Sequence, residues 1–191
     1  MSRAGERGGM RELSLHILDA LENSLEAGAS CVELVVEEDL AADRLWIEIR
    51  DDGRGMSEAQ LRRVFDPFFT TRTTRHVGLG IPLFKAAAER CNGSLTLSSQ
   101  PGVGTVLRAT FQHSHIDRAP LGDLRGTLLA VLLSGKCDVH YVHRVNGRVF
   151  EFHTADMRAE LGDVPLTHPE VRKWLEEFIV EGEDNLRRQS Q

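Results

Sequence analysis

Apolar residues recur along the chain in two periods, and these divide it into elements. From Met10 to Ala27, "MRELSLHILDALENSLEA" places Leu13, Ile17, Leu18, Leu21 and Leu25 at helical spacing. That spacing predicts an amphipathic helix with one buried stripe, and Gly28 is its stop. "CVELVVEE" and "RLWIEIRD" alternate, which predicts two strands joined by a polar turn around Asp43. "DDGRGM" reads as a turn. "SEAQLRRVF" opens a short helix in which Ser57 and Gln60 have the spacing of a capping box. Pro82 to Cys91 predicts a helix closed by Asn92-Gly93. "SLTLSSQ" and "GTVLRATFQ" predict a hairpin around Pro101-Gly102.

Beyond a linker, "HSHIDRAP", the pattern continues. "LGDLRGTLLAVLLSG" predicts a helix, and "DVHYVHRVNGRVFEF" a hairpin turning at Asn146-Gly147. "THPEVRKWLEEFIVEGEDNLRR" predicts a last helix capped by Thr167 with Glu170. Residues 1–9 are polar and Gly-rich and read as a frayed, disordered N-terminus. The expected organisation is therefore a main domain over 10–112 and a small α+β extension over 113–191, with no role for the extension visible in its residues.

Composition narrows this picture only a little. The chain has 191 residues, 41% hydrophobic and 27% charged, which suits one globular domain plus an appendage. A formal net charge of −6 gives no push towards nucleic acid or an anionic membrane, and neither is expected as a partner. No apolar run reaches membrane-spanning length, and "MSRAGERGGM" lacks the apolar core of a signal peptide. Cys31, Cys91 and Cys137 are odd in number and far apart, so no disulfide framework or CxxC metal pattern is visible. The expectation is a reduced, cytoplasmic setting.

Four features carry chemistry, in order: Asn23 in the first helix, Asp51-x-Gly53-x-Gly55, "FDPFFTTRTTRHVGLGIP" from Phe65 to Pro82, and Gly102-x-Gly104-Thr105. Singly each has a plain reading: a solvated Asn, a tight turn, a close-packed helix start. In this order they fit a nucleotide site. Asp51 ends an apolar strand, and a carboxylate only accepts hydrogen bonds, as the exocyclic amine of adenine requires. Gly53 and Gly55 let a flat base approach the backbone. Asn23 offers a hard oxygen suited to Mg²⁺. Gly78-Leu79-Gly80 before a helix exposes backbone N–H groups to phosphates. Thr70, Thr71, Thr73 and Thr74 offer hydroxyls, and Arg72 and Arg75 offer cationic donors.

The set resembles the ATP-binding domain of the histidine-kinase, type II topoisomerase, Hsp90 and MutL superfamily, the Bergerat fold. "LENSLEAGAS" resembles its Asn box, "DDGRGM" its first glycine box, "FDPFFTTR" its Phe box, and "HVGLGI" with "PGVGTVLRATF" its later glycine boxes. A Phe box followed closely by GLG is similar to sensor histidine kinases rather than to Hsp90 or MutL. The resemblance implies an α+β fold: a two-layer α/β sandwich, its mixed, mostly antiparallel sheet covered by helices on one face. It implies that Asn23 holds Mg²⁺, Asp51 reads adenine, Gly78 and Gly80 serve the phosphates, and Thr105 supports the base through water. It also implies that the Phe65–Pro82 stretch is an ATP lid, with Phe65, Phe68 and Phe69 pinning its base and Pro67 stiffening it.

The chain also departs from the kinase pattern. Only about a dozen residues precede the Asn-box helix, so the separate dimerisation helices with their phosphoaccepting His are expected to be absent. His16 lies inside the helix and reads as structural. None of the eight His residues is followed directly by an acidic residue, as a phosphoacceptor usually is. His76 stands where many kinases have Gly, and Glu26 where a cation is frequent. Asp19 lies one helical turn before Asn23 on the same face, where ATPases of the superfamily often place a Glu general base. Asp19 is the candidate catalytic base, while Glu22 points about 100° away.

The extension raises a zinc reading through Cys137, His140, His143 and His153. On a strand, however, His140 and His143 point to opposite faces, and scattered polar strand residues account for them better. The functions that fit are a Mg²⁺-dependent protein kinase acting in trans on a separate signalling partner, an ATPase whose lid and dimer state report nucleotide, and a nucleotide-sensing regulator without turnover. A homodimer is compatible with each.

Overall fold

A computed structural model describes residues 12–66 and 80–188. The first helix, α1 (Leu13–Glu26), buries Leu13, Ile17 and Leu21 of the predicted stripe together with Ala20, while Leu18 and Leu25 are partly buried against the core. Gly28 takes a positive φ just past its end. Strands β1 (Cys31–Asp39) and β2 (Arg44–Asp51) pair antiparallel from Val32 with Asp51 to Asp39 with Arg44. Helix α2 (Glu58–Arg63) has both bonds of its capping box, Gln60 N–H to Ser57 Oγ and Ser57 N–H to Gln60 Oε1. Helix α3 (Gly80–Arg90) leads into the hairpin of β3 (Ser94–Gln100) and β4 (Gly104–Gln112). The expected frayed N-terminus and most of the lid lie outside the described residues.

The remaining elements are α4 (Leu124–Leu132), β5 (Asp138–Val145), β6 (Arg148–His153), α5 (Thr154–Leu161) and α6 (Pro169–Arg188). The β5–β6 turn has positive φ at both Asn146 and Gly147, as a tight two-residue hairpin requires. The strands order as β3-β4-β2-β1-β5-β6 in one sheet. Only β1 with β5 is parallel, and α4 lies in the crossover that such a pairing needs. The extension thus lengthens the sheet of the main domain.

One face of the sheet is apolar. Val32, Leu34 and Val36, then Leu45, Ile47 and Ile49, then Leu107, Ala109 and Phe111 are all buried there beneath α1, α3 and α4. The other face carries ion pairs such as Arg108 Nε to Glu48 Oε2 at 2.6 Å and Arg144 to Glu37 at 3.8 Å. This is an α+β sandwich of a mixed sheet and a helix layer, as the resemblance implied.

Two expectations are corrected. Helix α6 is capped by His168, whose Nδ1 accepts the Glu170 N–H at 3.4 Å, not by a Thr167–Glu170 box. Pro169 takes the first helical position, where its fixed φ is favourable, and that moves the cap to His168. Helix α5 was not expected at all, because only Thr154 on it is buried and no apolar stripe announces it.

Candidate functional site

The strand register assembles a polar row at one end of the apolar sheet face. Asp51 on β2 lies opposite Thr105 on β4, and Thr105 lies opposite Ser99 on β3. All three share the strand parity of the buried residues Ile49, Leu107 and Leu95. The next row inward, Ile49, Leu107 and Leu97, is apolar. Hydrogen-bonding groups therefore sit on a greasy shelf, as a flat polar-edged ligand requires.

Asp51 is held at both oxygens. Oδ1 accepts the Gly53 N–H at 2.9 Å, and Oδ2 accepts the Ser24 hydroxyl of α1 at 2.8 Å. Each carboxylate oxygen keeps a further lone pair, so the group can accept another donor without losing these two. The turn after it is locked from both sides. Arg54 N–H donates to Ala27 O at 2.9 Å, Arg54 Nη1 to Glu26 O at 2.9 Å, and Gly102 N–H to Arg54 O at 2.8 Å. The Asp52 carboxylate accepts the N–H groups of Ser30 and Cys31 at 2.8 and 2.9 Å.

The glycines are dictated by these close approaches. Gly55 has φ +65, and a side chain there would collide with the Gln100 carbonyl. Gly104 has φ +128, and a side chain there would collide with the Asp51 backbone. A Cβ at Gly53 would fall 2.8 Å from Ala27 Cβ and 3.0 Å from Asp51 Oδ1. These positions hold the first glycine turn, the last glycine box and the end of α1 in one block.

Asn23 is half-buried on α1 beside Ser24, so the Ser24–Asp51 bond places its turn of helix over the end of β2. Asp19 lies one turn earlier. A Cβ added to Gly80, the first residue of α3, would sit 3.0 Å from Asp19 Oδ2. The structure thus brings the candidate base against the segment proposed for phosphates. Thr70, Thr71, Arg72, Arg75, Gly78 and Leu79 lie outside the described residues, as do Pro67, Phe68 and Phe69. Phe65 packs against the core, with Lys85 Nζ 4.5 Å above its ring.

Two members of the site escaped the sequence reading. Ser24 continues the buried stripe of α1, and Ser99 the inward face of β3. A hydroxyl standing where the period calls for an apolar side chain was the available signal.

His16, His140, His143 and Cys137 are arranged for structure. His16 is buried and stacked on Phe84 at 5.0 Å, and burial pulls its pKa down to about 4, so it is neutral at pH 7. His140 faces the ion-paired side of the sheet at Glu151, 2.7 Å away, while His143 is fully buried under α6. Cys137 is buried, and its thiol is pushed up to about 11, first by burial. No cluster of three or more such side chains among the described residues could hold a metal ion.

This fold, with a carboxylate and two glycine turns at one end of a helix-covered sheet, is that of a nucleotide-binding sandwich. The chain belongs to the histidine kinase-, DNA gyrase B- and HSP90-like ATPase family, whose profile matches residues 9–115, and it carries that family's ATP-binding domain. Its similarity extends to the sensor protein kinase FleS of Pseudomonas aeruginosa, 39% identical over 57% of this chain and 26% of that protein. The sensor protein DegM of a Bacillus species is 32% identical over 51% of this chain and 26% of its own length. The matched part thus spans about a quarter of the length of these relatives. Among solved structures, the N-terminal domain of a DNA repair protein superposes with a TM-score of 0.51 at 12% identity, covering 73% of this chain and 51% of that one. That likeness concerns the fold alone. No helix among the described residues is long and apolar enough to cross a membrane.

Proposed function

We propose that this protein binds ATP with Mg²⁺ and acts as a protein kinase in trans on a separate signalling partner. The observation that carries the nucleotide part is the row Asp51–Thr105–Ser99, with both Asp51 oxygens oriented by neighbours. Asp51 accepts the adenine amine, and Gly53 and Gly55 leave the base room. Thr105 supports the base through a water. Asn23 supplies an amide oxygen for Mg²⁺, a hard ligand for a hard ion. When bound, the ion neutralises phosphate charge. In this proposal Gly78, Leu79 and Gly80 offer backbone donors to the phosphates, and Thr70, Thr71, Arg72 and Arg75 offer hydroxyls and cationic donors to the same groups. The kinase part is supported by the alignments, since one relative named above is a sensor protein kinase and the other a sensor protein. The acceptor is assigned to another protein because His16, inside the Asn-box helix, is buried and stacked on Phe84.

In this reading residues 10–112 carry the nucleotide site, and 113–191 form the extension that lengthens its sheet. The setting is cytoplasmic, and a homodimer is compatible with it. One observation favours a second reading, an ATPase. Asp19 stands beside Gly80, one helical turn from Asn23, where a carboxylate can orient a water towards a phosphate. The same position lets Asp19 complement the positive end of α3 without any catalytic role.

Incubation with γ-labelled ATP, with and without lysate from the source, separates these readings. Label on a second protein supports the kinase. Free phosphate alone supports the ATPase. Neither, with ATP bound, supports a sensing regulator.

A further inference from the structure

We propose that Ser99 is a specificity-determining residue of the nucleotide site, setting whether Thr105 presents a donor or an acceptor to the base. The inference rests on the nucleotide reading above. Ser99 Oγ accepts the Met56 N–H at 2.8 Å, which ties it to the residue just after Gly55. It has one proton and two acceptors in reach, Gly104 O at 2.9 Å and Thr105 Oγ1 at 2.9 Å.

Two settings follow from counting protons. If Ser99 donates to Gly104 O, the Thr105 hydroxyl donates back to Ser99 and turns only lone pairs towards the site. If Ser99 donates to Thr105, the Thr105 proton is free to point at the base, directly or through a water. Asp51 next to it is an acceptor in either case. Adenine presents a donor at its exocyclic amine and an acceptor at the adjacent ring nitrogen. The second setting therefore pairs Asp51 with the amine and Thr105 with the ring nitrogen. Hypoxanthine presents the reverse pattern, an oxygen and then a ring N–H. It meets an acceptor at Asp51 and a donor at Thr105, both mismatched.

Among the described residues Ser99 is the side chain bonded to the Thr105 hydroxyl, so it is the group placed to set this polarity. In this assignment Ser99 acts on the base through Thr105 and transfers no proton, so it is a positioning residue. Its place on an edge strand also makes it replaceable without opening the core, since it is only half-buried.

The test measures calorimetric affinity for ADP, IDP and inorganic tripolyphosphate in wild type, Ser99→Ala and Ser99→Thr. Losing the hydrogen bond to Thr105 should weaken ADP by about three- to tenfold in Ser99→Ala. IDP should weaken less or improve, because the Thr105 hydroxyl is then free to accept, so the ADP-to-IDP ratio narrows. Tripolyphosphate should be unaffected, and Ser99→Thr, which keeps the hydroxyl, should restore the wild-type ratio. An unchanged ADP-to-IDP ratio in Ser99→Ala would overturn the inference, as would an equal loss for tripolyphosphate, which marks a merely structural role. Wild type that binds neither nucleotide would overturn the nucleotide reading itself, and with it this one.

Discussion

The Ser24 hydroxyl donates to Asp51 Oδ2 at 2.8 Å, joining helix α1 to the end of strand β2 across 27 residues of sequence. Together with the Gly53 N–H on the other oxygen it holds the carboxylate at both ends, so a ligand donor meets a pre-set acceptor. In Ser24→Ala, Asp51 keeps its charge but loses one of its two orienting partners. The expected cost is about 1.5–3 kcal/mol, because the bond is to a charged group. It should appear in nucleotide affinity and in unfolding free energy together. Affinity equal to wild type would show that the Gly53 N–H alone orients Asp51.

Asn23→Ala should remove the metal dependence of nucleotide binding more than it weakens the base contact. The motivation is the hard oxygen of Asn23 on the turn that carries Ser24. ADP affinity with and without Mg²⁺ is the measurement. Equal enhancement by Mg²⁺ in mutant and wild type would leave Asn23 a helix residue with no metal role.

Asp19→Asn distinguishes the two readings of that carboxylate. As a general base its loss should cut turnover on the order of 10²–10⁴-fold while ATP affinity stays nearly intact, because base catalysis acts in the transition state. As a partner of the α3 N-terminus its loss should instead lower stability by about 0.3–1 kcal/mol and leave turnover alone. Paired turnover and denaturation measurements read both effects.

The buried network under α6 gives stability a pH optimum. His143 is fully buried, with Nε2 3.2 Å from Glu38 and Nδ1 2.9 Å from Glu183, which also accepts the Tyr141 hydroxyl at 2.7 Å. Arg187 approaches Glu183 at 4.0 Å, and His113 bonds Glu38 at 2.8 Å. Burial alone would lower the His143 pKa, but the bonds to Glu183 and Glu38 outweigh it and the value is raised. Its contribution is therefore full below the ordinary value of 6.5 and fades as pH rises through the raised one. Burial would likewise raise Glu38, but His143 and His113 hold it at about 2. That contribution is full above 4.5 and fades as pH falls through about 2.

Thermal denaturation should therefore show a maximum near pH 4.5–6.5 from this network. His143→Gln should flatten the alkaline limb and cost about 3–5 kcal/mol at pH 6, because it removes the cation between two largely buried carboxylates and leaves them only His113 and the distant Arg187. An unchanged alkaline limb would show that His143 is not charged in the fold.

The elements were largely legible from local pattern, because strand alternation and the helical stripe of α1 depend on neighbours in sequence. The capping box at Ser57 and the Asn146-Gly147 turn were legible for the same reason. What was not legible depends on register. Nothing local says that Val32 pairs with Val139, so the extension could not be seen to lengthen the sheet. The partners of Ser24 and Ser99 are likewise set by which strands and helices meet. Asp51, Gly53 and Gly55 could be singled out because their side-chain chemistry, or lack of a side chain, limits what the backbone and a ligand can do there, and Thr105 because of the family resemblance. The structure adds the row in which Asp51 and Thr105 stand beside Ser99.

The central claim is that this row receives a nucleotide base. The most direct measurement is a calorimetric titration of ATP with Mg²⁺ into wild type and Asp51→Asn. The amide can turn an N–H₂ towards the adenine amine, replacing attraction with repulsion, and losing a charged hydrogen bond costs about 1.5–3 kcal/mol. The account predicts saturable binding by wild type and a loss of about tenfold or more in the mutant. Equal affinity in the two proteins would contradict it.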